Sequence, residues 1–223
     1  MMLLAVDAST QSIGLALYDG VEVIGDITWK TNNHHTVELA PGILSLLKRS
    51  GIKPDSLKAF GVALGPGSFT SLRIGLAVVK GMALAQKLPV IGIPTLDYLA
   101  FPQPAMDMRM AAVLRAGRGR LAVGWYDYLD GNWHPKGETK VMTAAELAAD
   151  IKAPTYICGE LTADERQTLA RKWKNTHLAS PAQSLRRPAV LAEMAWKRWQ
   201  DGQVDEVISL SPIYLHINEA IPD

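Results

Sequence analysis

Three strands in immediate succession constrain this chain most. Residues 2–7 (MLLAVD) read as a buried strand, 13–18 (IGLALY) alternate, and 21–29 (VEVIGDITW) follow a hairpin signal at Asp19-Gly20. Leu39, Ile43, Leu44, Leu46 and Leu47 then recur at helical spacing, which predicts a helix over 34–50 closed at Gly51. An apolar strand over 59–64, a GPGSFT loop at 65–70 and a helix over 71–87 ended by Pro89 come next. A strand over 90–93 and a short helix over 95–101 complete the first half. Antiparallel strands feeding alternating helices and strands restrict the chain to a mixed sheet covered on both faces.

This βββαβαβ order is the ribonuclease-H-like order found in each lobe of actin-like proteins. Pro102 and Pro104 mark a break. Beyond it, strands are predicted over 110–115, 121–128 and 138–142, with turns at Ala116–Gly119 and Asp130-Gly131 and with Trp133 between them. Thr143 and Glu146 form a capping-box pattern ahead of a helix. A short strand over 155–158, a helix over 188–201 carrying Trp196 and Trp199, and an extended tail over 206–215 follow. The expected fold is α/β, with two ribonuclease-H-like lobes of the actin-like (ASKHA) superfamily and a shortened second lobe. The lobes are expected at 1–102 and 103–223.

Hydrophobic residues make up 48% of the 223, enough to bury a sizeable core. The net charge of +1 is spread evenly, so no global field attracts nucleic acid and any RNA contact must be local or through a partner. One cysteine, Cys158, excludes an internal disulfide and a cysteine zinc cluster, and it suits a reducing cytoplasm. Asp7 interrupts the apolar start, which is too short for a secretion signal, and no run approaches the ~20 apolar residues of a membrane helix. A soluble, cytoplasmic protein without a membrane association is expected.

Two motifs suit phosphate. Asp7, Ser9 and Thr10 lie in the turn after the first strand, where an acid and small hydroxyls can serve a phosphate loop or form a polar turn that satisfies its own backbone. Gly65, Gly67 and Ser68 lie between a buried strand and a helix, where free amides suit an anion and Ser68 or Thr70 suits a cap. This is not a Walker loop, because the spacing and the lysine are missing.

Before its last residue, Lys87, the helix over 71–87 carries only Arg73 and Lys80 as charges. Leu72, Leu76, Val79 and Ala83 form one side, and Ile74, Val78, Gly81 and Ala85 another. A helix apolar nearly all round needs cover all round, from the 34–50 helix or from a second protein chain. His34, His35, His134, His177 and His216 show no metal spacing, and His34 and His35 are expected at the surface or at the helix start. Arg109, Arg115, Arg118 and Arg120 gather near one hairpin, either as an anion or RNA patch or as a solvated turn. Cys158 is expected as a buried, inert thiol.

The segments LLAVDASTQSIGLALYDG, HTVELAPGILSLL, ALGPGSFTSLRIGLAVVKGMALA, VIGIPTLDYLA and SPIYL resemble the bacterial TsaB (YeaZ) family over essentially the full chain. Older annotation called such proteins glycoproteases, by analogy with the TsaD paralogue. The resemblance implies a non-catalytic scaffold subunit in forming threonylcarbamoyladenosine beside the tRNA anticodon. It implies a heterodimer with TsaD, recruitment of the ATPase TsaE, a homodimer when the chain is alone, and tRNA reached only through the complex. No catalytic residue and no metal are expected in this chain. No cofactor is required by it, ATP or ADP belonging to the complex with partners, and Asp7, Ser9, Thr10, Gly65, Gly67 and Ser68 are left as a vestigial phosphate site. The first-lobe helices supply the interface in that family, which here points to Leu39, Leu46, Arg73, Ile74, Val78, Gly81, Met82 and Ala85. Arg115 and Arg120 stand where many members carry acids, which weakens any case for nucleotide hydrolysis. The alternatives are an ATP-using actin-like phosphotransferase built on Asp7, which would need a second acid and an adenosine loop, and a protease, which would need a metal motif or a triad.

Overall fold

Strand β1 (Met2–Asp7) is buried along its whole length, and this sets the layering around it. Side chains alternate across a strand. Leu4 and Val6 therefore enter one core, while Leu3 and Ala5 enter another on the opposite face. In the computed structural model, which describes residues 1–32, 34–172 and 174–215, β2 (Ser12–Tyr18) and β3 (Val23–Lys30) run antiparallel beside β1. β4 (Leu57–Ala63) and β5 (Val90–Ile93) extend the sheet in parallel, giving the order β3-β2-β1-β4-β5.

Helices α1 (His35–Arg49) and α2 (Phe69–Gln86) cover the first face. Their Leu39, Ile43, Leu46, Leu47, Leu76, Val79 and Ala83 pack against Leu4, Ile13, Leu15 and Phe60. Each fully buried leucine or isoleucine contributes about 1.5–3 kcal/mol of transfer free energy. α3 (Thr95–Ala100) supplies Tyr98 to the second face, which is closed by α6 (Pro188–Gln200) through Leu191, Ala192 and Ala195. Gly61 on β4 makes that approach close. A Cβ there would lie 2.8 Å from Ala195 Cβ.

The described residues divide into two compact units, Met1–Pro102 with Leu185–Ile213, and Gln103–Ser184 with Tyr214 and Leu215. This differs from the expected second lobe at 103–223. Residues 185–213 instead join the first unit, because α6 carries the apolar stripe that covers the sheet face left bare by α1 and α2.

In the second unit the strand order is β11-β10-β6-β7-β8. The strands are β6 (Arg109–Arg115), β7 (Leu121–Leu129), β8 (Asn132–Pro135), β9 (Lys140–Met142), β10 (Thr155–Gly159) and β11 (Thr176–Leu178). β9 pairs with β7, so the strand expected over 138–142 is shorter, and Trp133 lies on a strand of its own, β8. α4 (Ala144–Asp150) has the expected capping box. α5 (Ala163–Ala170) and β11 escaped the sequence reading, although Thr162 and Glu165 form a second capping box at the start of α5. Cys158 is buried, and desolvation pushes its thiol up to about 12, which keeps it protonated and inert. Among the described residues, no helix is long and apolar enough to cross a membrane.

Candidate functional site

β1 delivers Asp7 to the end of the first sheet with only 3% of its surface exposed. Both carboxylate oxygens are engaged. Oδ1 accepts from the Ser9 amide at 2.7 Å and from the Ser9 hydroxyl. Oδ2 accepts from the Tyr98 hydroxyl and, at 2.9 Å, from Arg186 Nε. Arg186, 5% exposed, also donates from Nε to the Tyr98 hydroxyl at 3.1 Å and from Nη2 to Thr10 Oγ1 at 2.7 Å. Burial acts to raise the Asp7 pKa, but the Arg186 charge and the Ser9 and Tyr98 bonds outweigh it, and the carboxyl is held below its ordinary value. Burial, followed by the Asp7 charge, pushes the Tyr98 hydroxyl well above its ordinary value, so it stays a neutral donor.

The two candidate phosphate motifs meet here. A Cβ on Gly67 would sit 2.1 Å from the Ser9 carbonyl oxygen, so only glycine permits this approach. The Ser68 amide donates to that same carbonyl at 2.7 Å, and the Ser9 amide is already spent on Asp7. The Gly65 amide donates to Thr95 Oγ1 at 3.0 Å, and the Thr95 hydroxyl donates to Ser9 Oγ at 3.0 Å. Ser68 is the N-cap of α2 and accepts from the Ser71 amide. Asp7, Ser9, Thr10, Gly65, Gly67 and Ser68 thus come together, as a closed hydrogen-bond network in which the amides of Ser9, Gly65 and Ser68 serve protein acceptors.

His35 opens α1, as the helix-start expectation has it, but it is not at the surface and belongs to this network. It is buried, its Nε2–H donates to the Thr10 carbonyl at 2.8 Å, and its Nδ1 faces Ser71 Oγ at 3.5 Å. His34 does lie outside, 3.7 Å from Glu38. Glu38 accepts from Trp29 Nε1 at 2.7 Å and from the Thr31 hydroxyl at 2.9 Å. Among the described residues, no group of three or more His, Cys, Asp or Glu side chains is placed to hold a metal. His216 lies outside the described residues.

The helix residues named for a partner surface separate into two sets. Leu39 and Leu46 are fully buried under the sheet and are corrected to core positions, since α1 turns its leucine stripe inward to cover β1 and β2. α1 instead exposes Val37 and Leu44. On α2, Arg73, Gly81 and Ala85 are exposed, and Ile74, Val78 and Met82 are half-buried. A Cβ on Gly81 would meet nothing within 4 Å, so that position faces outward. Ala77 and Leu84 complete an outward stripe that carries no acidic residue. Arg73 at its edge lies over the Phe69 ring at 3.7 Å. In the second unit, Arg109 stacks on Trp125 and lies 3.9 Å from Asp127, so it is engaged with its own sheet. Arg115 and Arg118 are exposed on the β6–β7 hairpin, and Arg120 is half-buried.

The TsaD family model, described as tRNA N6-adenosine threonylcarbamoyltransferase, matches residues 23–197. The chain belongs to that family, in its TsaB (YeaZ) branch. The Bacillus subtilis tRNA threonylcarbamoyladenosine biosynthesis protein TsaB is 27% identical over 224 residues, covering 99% of this chain and 96% of that one. The Escherichia coli TsaB is 33% identical over 152 residues, covering 66% and 64%. A Pseudomonas aeruginosa crystal structure, described as similar to peptidase YeaZ, superposes with a TM-score of 0.78 at 25% identity, over 96% of this chain and 99% of that one. The two mixed sheets of this TsaB-family chain are those of the α/β actin-like fold. Arg186 and Tyr98 complete the Asp7 network without a local sequence signal. Arg186 lies 179 positions from its partner Asp7, and no spacing rule joins them.

Proposed function

We propose that this chain is a cytoplasmic, non-catalytic TsaB-type subunit of the machinery that forms threonylcarbamoyladenosine beside the tRNA anticodon. It pairs through the α1–α2 face with a TsaD-type paralogue, helps recruit a TsaE-type ATPase, and reaches tRNA through the complex. Alone, it pairs with a second copy of itself.

The observation that carries this reading is the outward stripe of α2, where Ile74, Ala77, Val78, Gly81, Leu84 and Ala85 stand without an acidic neighbour. A charge-poor face lined by small residues suits close packing against another helix rather than contact with RNA phosphates. The Asp7–Arg186 pair supports the non-catalytic half of the reading. An internal guanidinium occupies the carboxylate that a phosphotransferase would turn toward its ligands. The chain itself then needs no cofactor, and ATP or ADP is handled in the complex.

Light scattering of the chain alone and mixed with its TsaD-type paralogue tests this. A homodimer that exchanges into a one-to-one heterodimer is expected, and Gly81→Arg is expected to abolish it while leaving the fold intact. A monomer indifferent to the paralogue, or ATP turnover by the isolated chain, refutes the proposal.

A further inference from the structure

We infer that the C-terminal strap, residues 204–213, is the second rail of the α2 docking surface, and that Ile208 is an anchor for the same TsaD-type paralogue. This rests on the reading that the α2 stripe is where that paralogue binds.

The strap has almost no regular structure, yet it is fixed at three places. At its start, the Asp205 amide donates to the Val90 carbonyl at 3.0 Å, and Asp205 Oδ2 accepts from the Gly92 amide at 2.7 Å. In the middle, Val207 and Leu210 pack into the core that α1 and α2 cover, and Lys80 Nζ donates to the Ile208 carbonyl at 2.9 Å. At its end, the Ile213 amide donates to the Leu64 carbonyl at 2.7 Å, beside the Gly65 loop.

These ties hold Ile208 at the surface with 80% of its area exposed, although its neighbours Val207 and Leu210 point into the core. An isoleucine fixed in water on a held segment gains nothing for the fold of this unit. Its place explains it. Lys80 is flanked on the helix surface by Ala77, three residues before it, and Leu84, four after it. Leu84 is itself 58% exposed. The strap therefore borders the outward stripe of α2 on the Lys80 side, and Ile208 continues its apolar surface.

The occupant is the TsaD-type paralogue of the proposed function, a chain related to this one by the family match. The TsaD model spans both α1 and α2 of this chain. A paralogue of that family brings a related helix pair, which can dock on this one about a pseudo-twofold axis. A partner helix lying along α2 would contact the strap as well as the stripe.

Calorimetric titration of the TsaD-type paralogue into the wild-type chain, Ile208→Asp and Gly81→Arg tests this. Ile208→Asp is expected to weaken binding at least tenfold with an unchanged melting temperature. Gly81→Arg is expected to abolish binding. If Gly81→Arg abolishes binding and Ile208→Asp does not change it, the strap is no part of the surface and this inference falls alone. If Gly81→Arg binds like wild type, the underlying reading falls and takes the strap with it. A chain that pairs only with itself and ignores the paralogue overturns both. Lys80→Met gives a second readout. Limited proteolysis is expected to cut faster within 206–210, and unchanged cleavage would show that Lys80 does not hold the strap.

Discussion

Replacing Arg186 with methionine would strip Asp7 of its charge partner while keeping a long apolar stem in the site. The pair is buried on both sides, and Arg186 also serves Tyr98 and Thr10. Breaking a buried pair by removing one member costs about 3–5 kcal/mol, because an uncompensated charge is left behind. At roughly 1.4 kcal/mol per decade, protection of the β1 amides against hydrogen exchange should fall by about two to four orders of magnitude at neutral pH. Native-state exchange suits the purpose because it reports on β1 itself, whatever the second unit does. The loss should shrink as the pH falls, since an unpaired, desolvated Asp7 takes up a proton instead of remaining charged. Asp7→Asn combined with Arg186→Met removes both charges and should recover more than half of the protection. A loss below about 1 kcal/mol in the single variant, or a double variant as damaged as the sum of the singles, would refute the view that Arg186 neutralises Asp7.

The wild-type carboxyl of Asp7 lies below the ordinary aspartate value of 3.8, so the unfolded chain binds that proton more readily than the folded one. Its contribution is therefore fully present above about pH 4 and is lost as the pH falls through the lower folded value. Urea midpoints measured down the acid limb should flatten in Asp7→Asn, and an unchanged slope would exclude this group. Gly67→Ala should cost about 1–3 kcal/mol by forcing a Cβ against the Ser9 carbonyl. The shift should appear in the urea midpoint together with loss of Ser68 amide protection, and a neutral result would mean that the two turns can part freely.

Much of the first unit was legible because its signals are local. The continuous apolar run of β1, the Asp19-Gly20 turn and the helical spacing in α1 and α2 each act within a few residues. Helical spacing put Gly81 on one side with Ile74, Val78 and Ala85 but left that side's cover open, and the open space around Gly81 shows that this position faces outward. The spacing in α1 does not say which side meets the sheet, and the family resemblance that points to Leu39 and Leu46 as interface names the helix without its outer side, whereas both are core. α5 was hidden because only Leu169 of its eight residues is buried. The closure of Asp7 could not be read at all, since Arg186 and Tyr98 reach it from distant elements and nothing about either residue marks it beforehand. Assigning α6 to the second lobe had the same origin, because an apolar stripe shows that a helix is covered without showing by which sheet.

The placement of α6 also bears on how the protein is made. Leu3, Ala5, Ala16, Ala59 and Ile93 on the second face of the first sheet are closed over by Leu191, Ala192 and Ala195. During synthesis the N-terminal sheet emerges first, yet it must wait with that face uncovered until almost two hundred residues have left the ribosome. The strands of the second unit, which lie between, are complete earlier and can form their own core meanwhile. Birth order and folding order are thus reversed for the two units, and the nascent chain exposes an apolar sheet face for much of its translation, when transient protection by a chaperone matters most.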